Sequence, residues 1–221
     1  FREQKYNLSI QYQMPICHQE IIGEETKMVL WEITETEFEL QSSLSLSSVA
    51  LQRLSQRKSK LHRKGYLAIR QLLKSLGISS KLHQYDKIGA PYLTDGRFIS
   101  VSHSKDIAAV VISSTSVGID LEYYKDKIKL VTSRFLHPSE FEKPDEIDEI
   151  EYLTQIWTAK EALYKLYKKP GLIFSKQLCI KPFKKGSARG KGLVIEKEGT
   201  IQFFLNLRRF ENYFLTLATI N

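Results

Sequence analysis

The residues best suited to chemistry fall in one stretch, from Val117 to Lys165. It opens with Val117-Gly118-Ile119-Asp120-Leu121-Glu122 and closes with Trp157-Thr158-Ala159-Lys160-Glu161-Ala162-Leu163-Tyr164-Lys165. On a strand, residues i and i+2 face one side, so Asp120 and Glu122 project together. On a helix, residues four apart are neighbours, which aligns Trp157, Glu161 and Lys165 and leaves Lys160 and Tyr164 at the margin of that face. Two strand carboxylates and a helical one make a hard oxygen site of the kind Mg²⁺ favours together with phosphate oxygens. Such an ion neutralises a pyrophosphate and orients in-line attack, and a lysine one turn away offsets charge on a leaving phosphate. Taken singly, the pieces read as exposed strand-end acids and as an ordinary helix pair worth ~0.2–0.5 kcal/mol. Their combination in this order is what points to a site.

The remaining elements must position that stretch. Met28–Thr34 is rich in apolar and β-branched residues and reads as a strand. Thr36 or Ser43 is placed to cap short helical pieces. Ser47–Leu76 has helical periodicity, stronger from Leu61 onward, with Gly77 as its stop. Asp95-Gly96 between short apolar segments predicts a hairpin. Phe98–His103 alternates and Ile107–Ile112 reads as a buried strand, with Ser102-His103-Ser104-Lys105-Asp106 as a polar turn between them. Asp126–Leu136 is helix-like, Pro138 opens a short helix, and Tyr152–Lys168 is a strong helix stopped by Pro170-Gly171. Lys176–Phe183, Gly192–Lys197, Ile201–Arg208 and Tyr213–Ile220 read as strands. Lys184–Lys191 reads as a basic loop. The order is of α+β type, with a strand, long helix and strands followed by a second strand, helix and strands.

The 221 residues carry a net charge of +8, with 42% apolar and 26% charged residues. Length permits one large domain or two of roughly 100 residues. The charge favours an anionic partner without choosing between nucleic acid, membrane surface, phosphorylated small molecule and acidic protein. Much of it lies at Arg53, Arg57, Lys58, Lys60, Arg63, Lys64 and Arg70. Like charges repel along a helix, and an anionic ligand would relieve them. Cys17 and Cys179 stand alone, which suits reduced thiols and a cytoplasmic location. No apolar run approaches the ~20 residues of a membrane span. Residues 1–13 read as a leader or disordered stretch, and Asn7-Leu8-Ser9 as a chance glycosylation match.

These residues resemble the 4′-phosphopantetheinyl transferase superfamily, whose pattern is (I/V)-G-(I/V)-D-x-E followed by W-x-x-K-E-x-x-x-K. Here 36 residues separate Asp120 from Trp157. Ser102-His103-Ser104 and the basic helix ending in Arg63-Lys64-Gly65-Tyr66-Leu67-Ala68-Ile69-Arg70 are similar to the larger, surfactin-synthetase-activating type. The resemblance implies two similar α+β halves, 14–115 and 116–221, forming an intramolecular pseudodimer with the active site between them. It implies Mg²⁺-dependent transfer of phosphopantetheine from coenzyme A to a serine of an acidic apo acyl or peptidyl carrier protein, with release of adenosine 3′,5′-bisphosphate. It implies Asp120, Glu122 and Glu161 as metal ligands, Glu161 also as base, and Lys165 as partner of the leaving group. His103, with Ser102 beside it, is implied as a phosphate contact, and Lys160 matches the family lysine. The 3′-phosphate is expected among Arg57, Lys58, Arg63 and Arg70. A monomer is expected, with no nucleic-acid or membrane partner. Gly89-Ala90-Pro91 departs from the family's Gly-Lys-Pro, so Lys87 or Lys105 is left to supply the missing charge.

Two other readings compete. A Mg²⁺-dependent nuclease would use the net positive charge to track phosphates, but nucleases of that style carry the lysine two residues after the acid on a strand. A non-catalytic binding module for nucleotides or acidic carrier proteins has no use for three converging acids.

Overall fold

The computed structural model describes residues 16–220. The expected leader lies outside the described residues. The chain begins with a hairpin, β1 (Ile16–Ile22) and β2 (Thr26–Glu32). Three helices follow: α1 (Glu37–Ser42), α2 (Ser48–Ser55) and α3 (Lys60–Ser75). Then come β3 (His83–Tyr85), β4 (Pro91–Leu93), β5 (Phe98–Ser104), β6 (Ile107–Ser113) and β7 (Val117–Tyr123). A 3-10 turn at Asp126–Val131 leads into the single turn α4 (Thr132–Phe135), and Pro138–Glu140 forms another 3-10 turn. The long helix α5 (Glu149–Tyr167) and the short α6 (Phe174–Gln177) precede β8 (Leu178–Ile180), β9 (Arg189–Glu196), β10 (Gly199–Phe210) and β11 (Tyr213–Thr219). The α+β class follows.

Local chemistry explains the ends. Thr36 caps α1 in a reciprocal box with Glu39. Ser47 caps α2, its hydroxyl accepting from Ala50 N at 3.2 Å. The helical stretch predicted over 47–76 is broken between Gln56 and Ser59, where the Arg63 guanidinium takes the carbonyls of Arg57 and Lys58. Gly77, at φ +71°, ends α3 with Ile78 N bonded to Leu73 O and Gly77 N to Lys74 O, a Schellman closure.

Two large antiparallel sheets result, ordered β1-β2-β6-β5 and β7-β11-β10-β9-β8, beside the two-stranded β3-β4. β6 is apolar from Ile107 to Ile112 because both its faces are covered. Ala108, Val110 and Ile112 pack toward α3, while Ala109 and Val111 join Met28, Leu30, Ile119, Leu121, Leu215 and Leu217 in a core shared by the two sheets. A third core gathers under α5. No helix among the described residues is long and apolar enough to cross a membrane.

Three local expectations change. The Asp95-Gly96 turn forms, with Gly96 at φ +88°, but β4 pairs with β3 and β5 with β6, so it joins two ladders instead of closing a hairpin. The hairpin is β3–β4, whose turn is held by Asp86 Oδ1 accepting from Ile88 N and Ala90 N. Ser102-His103-Ser104 is the end of β5; only Lys105 and Asp106 turn. Finally, Arg189–Lys191 of the expected basic loop belong to β9, bonded to β10.

Gly118 decides how closely α5 approaches β7. A Cβ there would overlap the Ala162 carbonyl oxygen and lie 2.7 Å from Leu166 N. Both are backbone atoms, so the helix itself would have to move. Gly118→Ala is expected to cost at least ~2 kcal/mol of stability, read from the midpoint of urea unfolding.

Candidate active site

The site is assembled where β5 and β7 run side by side beneath α5. Alternation on β7 turns Val117, Ile119 and Leu121 into the shared core and leaves Gly118, Asp120 and Glu122 on the opposite face. From α5, Lys165 places its ammonium 2.7 Å from Asp120 Oδ1, 3.1 Å from Ile119 O and 3.3 Å from Val101 O. All three of its donors are thereby engaged. Trp157 Nε1 donates to Glu122 Oε1 at 3.3 Å. Glu161, half-buried, lines a cavity of about 270 Å³ with Lys165, Tyr164, Lys168 and the Gly89-Ala90-Pro91 turn.

The electrostatics follow from this crowding. Burial, with Asp120 and Glu122 nearby, pushes the Glu161 carboxyl up to about 7 despite the opposing pull of Lys165. Burial also raises Asp120, which is 5% exposed, and Lys165 and Ser102 partly counter it. Asp120 Oδ2 is buried without a hydrogen-bond partner among the described residues. The three carboxylates, one with an orphaned oxygen, have the donor chemistry of a hard-cation site. They are not closed into a ready cluster: among the described residues no three His, Cys, Asp or Glu side chains are placed to hold an ion. Lys165 supplies the positive charge at Asp120.

His103 points away from Ser102 and Ser104, as strand alternation requires, and its ring lies over Gly65 of α3. His62 stands edge-on to it at 5.8 Å between centroids. Burial, then the charges of His62, Lys165 and Arg57, holds the imidazole down at about 4, so it is neutral at pH 7.

Other expected ligands sit differently. Lys160 is not brought to the site. It is 0% exposed, paired with the 1%-exposed Glu140 at 2.6 Å, and donates to Phe135 O and Phe174 O. One residue along a helix turns the side chain by about 100°, which carries Lys160 away from Glu161. Glu140 completes its bonding with Ile180 N and His137 N. Arg63 is committed to Glu37 through two bonds of 2.8 and 2.9 Å. Arg70 is 8% exposed, stacks on Tyr66 at 3.2 Å and donates to Tyr85 Oη. Arg57 also lies over Tyr66, and Arg53 over Tyr85. Lys58 is exposed. Ser102 donates to Asp120 Oδ1 at 2.8 Å and accepts from Leu121 N, which leaves it no proton for a phosphate. Lys105 stands over the Tyr123 ring at 4.0 Å. Lys87 is exposed and Ala90 half-buried.

Sequence reasoning missed Arg53 as a partner of Arg57, His62 as a neighbour of His103, and Gly65 as the space His103 occupies. The i,i+4 spacing of Arg53 and Arg57 is a signal the sequence carries, whereas the contacts of His103 with His62 and Gly65 join β5 to α3 and have none.

Residues 116–218 match the family model of the 4′-phosphopantetheinyl transferase superfamily. The match covers the segment that carries Asp120, Glu122, Glu161 and Lys165. A curated 4′-phosphopantetheinyl transferase of Bacillus subtilis is 31% identical over 94 residues, which is 40% of this chain and 41% of that protein. The match thus spans about two fifths of the relative's length.

A Cβ on Gly65 would come 2.5–2.9 Å from three His103 ring atoms. Gly65→Ala is expected to push the ring toward solvent and return its pKa from about 4 toward the ordinary histidine range. An NMR titration of the His103 imidazole checks this.

Proposed function

We propose that the protein transfers 4′-phosphopantetheine from coenzyme A to a serine hydroxyl of an apo acyl or peptidyl carrier protein. One observation carries the reading most. Glu161 and Lys165 line an open cavity, Lys165 is bonded to Asp120, and Asp120 and Glu122 are close enough to raise the Glu161 carboxyl, all within the segment that matches the superfamily model. The surfactin-synthetase-activating type, the division into halves 14–115 and 116–221, their pseudodimeric relation, a cytoplasmic location and a monomer form part of the same proposal. Free Cys17 and Cys179 are compatible with it.

Asp120, Glu122 and Glu161 would hold Mg²⁺, which when bound supplies charge neutralisation at the pyrophosphate. Glu161, which lines the cavity beside Lys165, is the base proposed to take the proton from the carrier serine. The serine oxygen then bonds to the phosphorus of the phosphopantetheine arm. The bond from that phosphorus to the adenosine 3′,5′-bisphosphate breaks. Lys165 exchanges one of its carbonyl bonds for the leaving phosphate. His103, neutral in the free protein, donates one hydrogen bond to a phosphate oxygen. Arg57, half-buried and stacked on Tyr66, is the cation to which we assign the 3′-phosphate. Arg63, already neutralised by Glu37, contributes through α1 packing. The surplus of basic over acidic residues favours an acidic carrier.

Mass spectrometry of a panel of apo carriers with coenzyme A and Mg²⁺ should show the addition of one phosphopantetheine on the serine. Excess chelator should abolish it, and Glu161→Ala should lower the rate by at least ~10²-fold. No addition to any carrier, alongside metal-dependent cleavage of nucleic acid, would support the nuclease reading instead.

Dephospho-coenzyme A lacks the 3′-phosphate and should bind at least ~10-fold more weakly, the loss expected for one charge-assisted contact of ~1.5–3 kcal/mol. Calorimetry with both compounds makes the comparison, and equal affinities would remove the 3′-phosphate site.

A further inference from the structure

β5 and β7 are not joined by a backbone ladder. Three serines on one face of β5 bridge them: Ser100 Oγ accepts from Ile119 N at 3.0 Å, Ser102 Oγ from Leu121 N at 3.2 Å, and Ser104 Oγ from Tyr123 N at 3.0 Å. The register advances by two residues on both strands, so the strands run parallel and each hydroxyl stands in for a missing carbonyl. A hydroxyl that accepts still has one proton to give. Ser102 gives its proton to Asp120 Oδ1 at 2.8 Å and Ser104 gives its own to Glu122 Oε2 at 3.1 Å. Ser100 makes no hydrogen bond to a carboxylate among the described residues.

We infer that Ser102 and Ser104 are positioning residues for the cation site, fixing the rotation of Asp120 and Glu122 from across the seam between the two sheets. This rests on the metal reading proposed above. The geometry at Asp120 shows the effect. Oδ1 is held by Ser102 on one side and Lys165 on the other, so Oδ2 is the oxygen left without a partner. At Glu122, Oε2 takes Ser104 and Lys125 while Oε1 takes the single weaker bond from Trp157. In each carboxylate the serine captures one oxygen and the other remains the more available. Bonds to the outer side of a ligand carboxylate preorganise it, and losing them typically weakens metal binding 10–100-fold. Ser102 thus acts through Asp120, in place of the phosphate contact expected from the sequence.

Ser100 makes the test selective. It supports the same seam through the same type of bond and lines the cavity near Glu161, but among the described residues it makes no hydrogen bond to a carboxylate. The probe is Mn²⁺ alone, titrated into the full chain and read by electron paramagnetic resonance, with thermal melts confirming that each variant is folded. Ser102→Ala and Ser104→Ala should each weaken Mn²⁺ binding by about 10-fold or more, while Ser100→Ala should stay within about twofold of the starting protein. Ser102→Thr, which keeps the hydroxyl, should recover most of the affinity. Equal weakening by all three alanine variants would reduce the serines to seam packing and overturn the proposal. So would unchanged affinity in Ser102→Ala and Ser104→Ala. If the starting protein itself binds no Mn²⁺, the metal reading and this proposal fall together. If it binds and the variants match it, only the positioning role falls.

Discussion

The seam between β5 and β7 is the constraint on which the rest depends. Two sheet edges meet there, and an edge strand presents backbone donors that cannot be buried unpaired. Serine hydroxyls answer this for Ile119, Leu121 and Tyr123. Because the hydroxyls are both acceptors and donors, the same contact that closes the seam reaches Asp120 and Glu122. Structure and candidate chemistry are thereby tied to one row of side chains.

From the other side, α5 completes the arrangement. Its close approach is licensed by Gly118, and its Lys165 bridges β5 and β7 through Val101 O and Ile119 O while neutralising Asp120. The buried Lys160–Glu140 pair anchors the same helix to the segment around Phe135 and Pro138. A buried ion pair of this kind contributes little net stability, but removing one partner leaves an uncompensated charge, at a cost of about 3–5 kcal/mol. Neighbouring lysines on one helix thus divide the work. Lys160 fixes the helix in the C-terminal half, and Lys165 faces the site.

The basic region shows how tertiary contacts reassign charge. Read along the chain, Arg53 to Arg70 is a run of like charges awaiting an anion. In three dimensions Arg63 is neutralised by Glu37, and Arg53, Arg57 and Arg70 lie on the rings of Tyr66 and Tyr85. Guanidinium groups on aromatic faces gain a modest attraction without losing their charge. The cluster remains cationic, but its members differ in how free they are to meet a ligand.

By itself the sequence determined the α+β class, the strong helix carrying Glu161 and Lys165, the strand carrying Asp120 and Glu122, and the capping and stop residues. These depend on periodicity and turn chemistry, which are local. Partner choice was decided only by the tertiary structure. Asp95-Gly96 reads as a hairpin in the sequence because a turn signal does not say which strands pair. Ser-His-Ser reads as a turn in the sequence because polar residues on a strand look like a loop until something across the seam bonds to them. The resemblance implies Lys160 as a site residue, and its pairing with Glu140, twenty positions away, is invisible to spacing. Which carboxylate oxygen is held, which arginine is spent and which lysine is buried are properties of long-range packing, and only the folded chain sets them.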